Sequence, residues 1–269
     1  MIEFRHVAKT WPDGTEAVRD FSLTLPSRST TVFVGSSGCG KTTLLRMINR
    51  MVEPTSGSVL IDDVDVATQP AVEVRRRIGY VMQHAGLLPH RRVIDNVATP
   101  LRLAGVDKAE ARSRAREALK QVGLVDEHDR KYPAQLSGGQ QQRVGVARAL
   151  VGDPNILLMD EPFGAVDPIV RDGLQQQLRH LQSELGKTIV FVTHDIEEAF
   201  LLGDRIVILG VGGEIAQVGT PAEILAHPAS DFVSSFVGLD KAKRSLRIEV
   251  VDGQQVVVDG DGRVAGRLT

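Results

Sequence analysis

Polar and apolar positions alternate at the start of the chain. Ile2, Phe4 and His6 fall on one face and Glu3, Arg5 and Val7 on the other, which predicts a half-buried strand. Phe21, Leu23 and Leu25 alternate with Ser22 and Thr24 and predict a second, with the turn Pro12-Asp13-Gly14 between them. Thr30–Val34 is a short apolar run that stops at a glycine-rich turn, and Lys41–Met51 follows with helical character. Val59–Val66 and Ile78–Met82 read as further strands. From Arg91 to Leu150 the period changes: Ala111, Ala115, Ala118, Leu119 and Val122 recur at helical spacing, so a helical segment is inserted here. Strand character resumes at Ile156–Met159 and Ile189–Val192. Val170, Leu174, Leu178, Leu181 and Leu185 mark one face of a long helix between them, and a helix near Ile196–Leu202 follows. Ile206–Leu209 and Glu214–Val218 flank Gly212-Gly213 as a hairpin. Alternating strands and helices imply an α/β fold, with a mostly parallel sheet covered on both faces.

Composition narrows the partners. The 269 residues carry 32 Lys and Arg against 34 Asp and Glu, a formal net charge of −2. That balance lacks the basic excess of a nucleic-acid binder. Arg75-Arg76-Arg77 and Arg91-Arg92 are short enough to be solvated faces or local ion pairs. One cysteine, Cys39, leaves no intrachain disulfide and suits a reducing compartment. The N-terminus has no signal-peptide pattern, and no apolar run approaches the roughly 20 residues a bilayer requires. A soluble protein is expected, with any membrane role arising through a partner.

Three segments carry candidate chemistry. Gly35-Ser36-Ser37-Gly38-Cys39-Gly40-Lys41-Thr42 fits G-x-x-x-x-G-K-[ST] between a predicted strand and a predicted helix. In such a loop backbone N–H groups turn inward at phosphate oxygens, and a helix N-terminus adds positive potential. Lys41 supplies a charge to the β- and γ-phosphates, and Thr42 offers a hard oxygen to Mg²⁺. Cys39 reads as a small neutral filler. Asp160 and Glu161 end an apolar strand, where ligands of parallel sheets gather, so Asp160 is a metal carboxylate and Glu161 a base for an attacking water. His194 ends another strand and is placed to touch the γ-phosphate or the water.

Leu136-Ser137-Gly138-Gly139-Gln140 stands before a helix expected from about Gln141 and offers a second set of N–H groups to phosphate. Taken with the phosphate loop, it resembles the signature of ABC ATPases, and the similarity covers roughly residues 2–237. The resemblance implies a phosphate-loop NTPase cassette with an antiparallel β subdomain and an α-helical subdomain over about residues 88–150. It assigns Trp11 to adenine stacking, the loop from Gly35 through Thr43 to the phosphates, and Gln83 to sensing Mg²⁺ and the permease side. Ser137, Gly138, Gly139 and Gln140 form the signature, Asp167 belongs to the loop that crosses the dimer interface, and His194 is the switch histidine. Val166, Gly164 and Trp11 depart mildly from the usual pattern. ATP and Mg²⁺ are the implied ligands. The implied partners are a second copy of the chain, integral membrane permease subunits and, indirectly, a substrate-binding protein. The implied location is the cytoplasmic face of the membrane.

Gly86-Leu-Leu-Pro-His90, Leu174-Gln-Gln-Gln-Leu178 and Phe200-Leu-Leu-Gly-Asp204 are similar to the branch that imports glycine betaine, carnitine or choline. Importers of methionine, taurine or amino acids share the chemistry, and a non-transport ABC ATPase is a further alternative. Residues 238–269 form a short tail that resembles the end of a CBS module. The stretch from Gln255 to its end is expected to be a hairpin turning at Asp259–Gly262, too short for a complete CBS pair.

Overall fold

The computed structural model describes residues 1–164, 171, 173, 175, 176, 178, 179, 186–239, 247–251, 254–258 and 264–267. Strands β1 (Ile2–Thr10) and β2 (Glu16–Leu25) form a hairpin, and β3 (Thr30–Gly35) runs into helix α1 (Lys41–Ile48). Then come β4 (Ser56–Ile61), β5 (Val64–Asp65), α2 (Ala71–Arg76) and β6 (Ile78–Val81). Helices α3 (Val93–Leu103), α4 (Lys108–Gln121) and α5 (Gly138–Leu150) make the inserted helical layer, after which β7 (Ile156–Asp160) and β8 (Thr188–Thr193) return to the sheet. The helix Ile196–Leu202 precedes β9 (Arg205–Leu209) and β10 (Ile215–Gly219).

The central sheet has the order β10-β9-β3-β8-β7-β6 and is parallel except for the β9–β10 pair. A separate antiparallel sheet has the order β2-β1-β4-β5. Alternation along the central strands builds two cores. Val32 and Val34, Leu157 and Met159, and Ile189 and Phe191 enter one core with α3, α4 and α5. Phe33, Ile156 and Leu158, and Val190 and Val192 face the other core, with α1 and the antiparallel sheet. Phe4, Phe21 and Phe33 anchor that second core, with Phe4 and Phe21 edge-to-face at 5.1 Å between centroids. Such pairs add about 0.5–1.5 kcal/mol beyond burial.

Several local expectations require correction. The β1 alternation breaks at His6, which has φ 47° at a register shift, so His6 is exposed and Val7 is buried. The extra residue reverses the inward phase. Val59–Val66 is two strands, because Asp62 and Asp63 have φ 49° and 65° and reverse the chain between β4 and β5. Helix α1 ends at Ile48 rather than Met51; Arg50 turns left-handed at φ 56°, and the Met51 and Val52 N–H groups bond back to the Arg46 carbonyl. Helix α5 begins at Gly138, three residues before the expected start. The helix predicted from Val170 to Leu185 lies partly outside the described residues; Leu178 within it is buried.

The hairpin at Gly212-Gly213 forms, with both glycines at positive φ. In the tail, Gln254–Val258 pairs with Val264–Arg267 as expected, and an additional strand, Arg247–Val251, pairs with the first of these. The expected turn at Asp259–Gly262 lies outside the described residues.

Candidate active site

The carboxyl ends of β3, β7 and β8, three adjacent parallel strands, bring distant residues together. The loop after β3 depends on close backbone approach. A Cβ at Gly35 would meet the Leu209 carbonyl oxygen at 2.4 Å, and one at Gly40, where φ is 104°, would meet that of Ala17 at 2.6 Å. Gly40 is the N-cap of α1 and contributes no side chain, and no acidic residue occupies the first turn, so the helix N–H groups face the loop uncancelled. Lys41 is buried and donates to the Gly35 and Ser36 carbonyls, both at 2.8 Å. Its ammonium is folded onto the loop where phosphate oxygens would compete for it. Ser36, Ser37 and Gly38 are exposed, whereas Cys39 is buried against Gly35 and belongs to the core, which matches a filler. Thr43 is half-buried in the first turn of α1.

Asp160 closes β7 and is buried. Its Oδ1 accepts from the Thr42 hydroxyl at 2.7 Å. Its Oδ2 accepts from the Tyr80 hydroxyl at 3.0 Å and from Arg46 Nη2 at 3.2 Å, and Arg46 Nε donates to the Tyr80 oxygen at 3.3 Å. Burial, reinforced by the Asp160 charge, pushes the Tyr80 hydroxyl up to about 12, so it stays protonated and donates at neutral pH. Tyr80 and Arg46 were not anticipated as site residues: one hides in an apolar strand run, the other in a helix, and neither belongs to a spaced motif.

Glu161 follows with φ 44°, a left-handed conformation that costs a non-glycine residue about 1–3 kcal/mol where it is enforced. Its N–H donates to the Val192 carbonyl at 3.0 Å, and its carbonyl accepts from the Gly164 N–H at 3.2 Å. Glu161 Oε2 then accepts from Gln83 Nε2 at 3.3 Å and lies 3.2 Å from His194 Nδ1. A Cβ at Gly164 would find its nearest neighbour at 3.6 Å, so a small side chain would fit there. Thr193, beside His194, is tied down by Glu198, which accepts its hydroxyl proton at 2.7 Å; burial raises the Glu198 pKa above the usual glutamate range.

The signature sits apart. Ser137 caps α5: its Oγ accepts from the Gln140 N–H at 3.3 Å, while Gln140 Oε1 accepts from the Ser137 N–H at 3.0 Å. The Gln140 amide nitrogen lies 3.3 Å from Nε2 of the buried His128. His128 Nδ1 is 3.1 Å from the Val125 carbonyl, which can only accept, so Nε2 is the acceptor for Gln140. Gly138 is exposed and Gly139 is buried in the first turn. Among the described residues no hydrogen bond joins Leu136–Gln140 to the phosphate-loop cluster. Helix α5 does reach the segment around Gln83: Gln142 donates to the Met82 carbonyl at 3.2 Å, and Arg148 donates to Ala85 and Gly86.

Trp11 is also apart, in a turn closed by its N–H to Thr15, with the Lys9 ammonium 4.8 Å from the ring centroid. Asp167 lies outside the described residues.

Residues 18–164 match the family described as ABC transporter. The carnitine transport ATP-binding protein OpuCA of Listeria monocytogenes is 50% identical over 90% of this chain and 60% of that protein. The chain therefore spans well under two thirds of that relative. The glycine betaine uptake system ATP-binding protein YehX of Escherichia coli is 47% identical over 88% of this chain and 77% of its own length. Among solved structures, the ATP-binding cassette MJ0796, a dimer in a post-hydrolysis state bound to ADP and Pi, superposes with TM-score 0.75 at 36% identity, covering 82% of this chain and 99% of that one.

Proposed function

The chain belongs to the ABC transporter family, and from that premise we propose that it is the ATP-hydrolysing subunit of an importer for a quaternary-ammonium osmoprotectant such as glycine betaine, carnitine or choline. The observation that carries the ATPase reading is Glu161: a carboxylate aimed by a left-handed turn and held between Gln83 and His194, one residue from the Asp160–Thr42 pair. Glu161 orients and deprotonates the attacking water, His194 and Gln83 keep its carboxylate in place, and Lys41 turns from its carbonyl contacts to the phosphates.

The donor set fits Mg²⁺. Thr42 and Asp160 present hard oxygens 2.7 Å apart, and few protein ligands suit an ion that keeps waters and shares phosphate oxygens. When bound, the ion neutralises charge on the phosphates. Trp11 stacks on adenine once Lys9 is displaced or shared, and Ser137 with the N–H groups of Gly138 and Gly139 contacts the nucleotide of a second copy. Asp167 is assigned to the same interface. ATP thus binds the closed dimer better than the open one, which is what moves a partner. The dimeric MJ0796 cassette supports this arrangement.

Among the described residues no helix is long and apolar enough to cross a membrane. In this reading the motor acts on membrane permease subunits and sits peripherally at the cytoplasmic face, as the names of its transport relatives suggest. A groove of about 500 Å³ between β6, α2 and α3, lined by Val72, Tyr80, Leu101 and Leu103 together with Arg75, Arg76 and Arg148, is suited to a permease segment. Residues 1–237 form the cassette and 238–269 a distinct C-terminal segment. The osmoprotectant assignment rests on the names of the relatives, since the cassette need not touch the solute. The test is reconstitution with the permease in proteoliposomes. ATP-driven glycine betaine, carnitine or choline uptake is expected to vanish with Glu161→Gln; ATP hydrolysis with uptake of none of the three would refute the osmoprotectant assignment.

A further inference from the structure

Resting on the ATPase reading, we propose that Tyr80, fixed by Arg46, is a positioning residue for the metal-site carboxylate of Asp160. Asp160 is buried at the end of its strand, and its two oxygens are used differently. Oδ1 faces Thr42 and the phosphate loop. Oδ2 is held from behind by two donors, the Tyr80 hydroxyl and Arg46 Nη2. Those donors are themselves joined through Arg46 Nε and the Tyr80 oxygen, closing a three-membered ring of contacts.

A carboxylate with one oxygen pinned loses rotation about its terminal bond. Oδ1 is then presented to the nucleotide side in one orientation, and the order is already present before ligand arrives. Tyr80 is well placed for this because β6 and β7 are paired in parallel, with Tyr80 opposite Leu158 and Val81 opposite Met159. Its ring therefore reaches the end of β7 from the neighbouring strand. Arg46 comes from the last turn of α1, where its charge also suits the helix terminus. The same tyrosine lines the groove beside α3.

The experiment uses the full chain and a fluorescent ATP analogue, titrated without metal and then with increasing Mg²⁺. Tyr80→Phe keeps the ring and removes only the hydroxyl. The Mg²⁺ concentration for half-maximal gain in nucleotide affinity is expected to rise about tenfold, as for loss of a hydrogen bond to a charged group. Metal-free affinity should stay at the wild-type value. Arg46→Gln is expected to cause a similar rise and Arg46→Lys a smaller one. The double variant Tyr80→Phe/Arg46→Gln should be no worse than the poorer single variant, because both act on one oxygen.

A Tyr80→Phe titration that superposes on wild type would overturn the proposal, as would effects that multiply in the double variant. Loss of metal-free affinity equal to the loss with Mg²⁺ would also overturn it, since that marks a general structural role. The parent reading is judged separately. If the wild-type chain showed no Mg²⁺-dependent nucleotide binding, the ATPase assignment itself would fall.

Discussion

The phosphate-loop end and the signature end of this molecule are built on opposite plans. At the first, Lys41, Thr42, Asp160, Glu161 and His194 come from three strand ends; Thr42, Tyr80 and Arg46 bond to Asp160, while Gln83 and His194 meet Glu161. At the second, Ser137 and Gln140 bond to each other and Gln140 to His128, all within a dozen residues of one another. One end is assembled by the sheet from residues far apart in the chain. The other is a preformed helix terminus, exposed at Ser137 and Gly138. A site of the first kind is expected to respond to substitution in isolation, and one of the second kind only when two copies meet.

The strongest way to sharpen that contrast is Glu161→Gln. It removes the proposed general base while keeping a side chain of similar shape. Hydrolysis is expected to fall by about 10²–10⁴-fold, with an ATP-held dimer accumulating on a sizing column. A variant that stays monomeric with ATP would count against the two-copy arrangement.

Next comes Lys41→Ala, which removes a charge from the phosphate loop. Nucleotide affinity of the single chain is expected to weaken by about 10–100-fold, measured by equilibrium binding at low protein concentration.

Ser137→Ala is the complementary test. It should leave single-chain affinity unchanged yet abolish dimer build-up in the Glu161→Gln background. Loss of the helix cap should also cost about 1 kcal/mol of stability, read by denaturant unfolding. If Ser137→Ala weakened the isolated chain's affinity as much as Lys41→Ala, the contrast between the two ends would break.

The smallest effect concerns Glu198, behind the Thr193 hydroxyl. Burial raises its pKa in the folded state above the ordinary 4.5, so the folded chain holds that proton more tightly than the unfolded one. Its contribution to stability is therefore fullest below about pH 4.5 and declines as pH rises through the raised folded value. Measured against Glu198→Gln, the wild type should lose relative stability on going up through that window and then level off. A flat difference across it would show that Glu198 is not held by burial.

Much of this was legible along the chain because it depends on local rules. The loop from Gly35 to Thr42, the apolar strands ending at Asp160 and at Thr193, and the helical period after Arg91 each announce themselves within a few residues. Steric demand at the glycines, side-chain period and the placement of polar residues at strand ends are properties of short segments. The errors were local too. His6 and the Asp62-Asp63 pair adopt positive φ, and pattern reading has no term for one extra residue in a strand.

Order along the chain also determined the family resemblance, since the motifs and their spacing are themselves sequence. What only the tertiary structure decided is which residues meet. Tyr80 and Arg46 reach Asp160 because β6 lies beside β7 and α1 packs on β7, a juxtaposition across 80 and 114 positions. His128 locks Gln140 because a turn folds back on the start of α5. Such pairings follow from strand order and helix packing, which bring together residues that share no period and no motif.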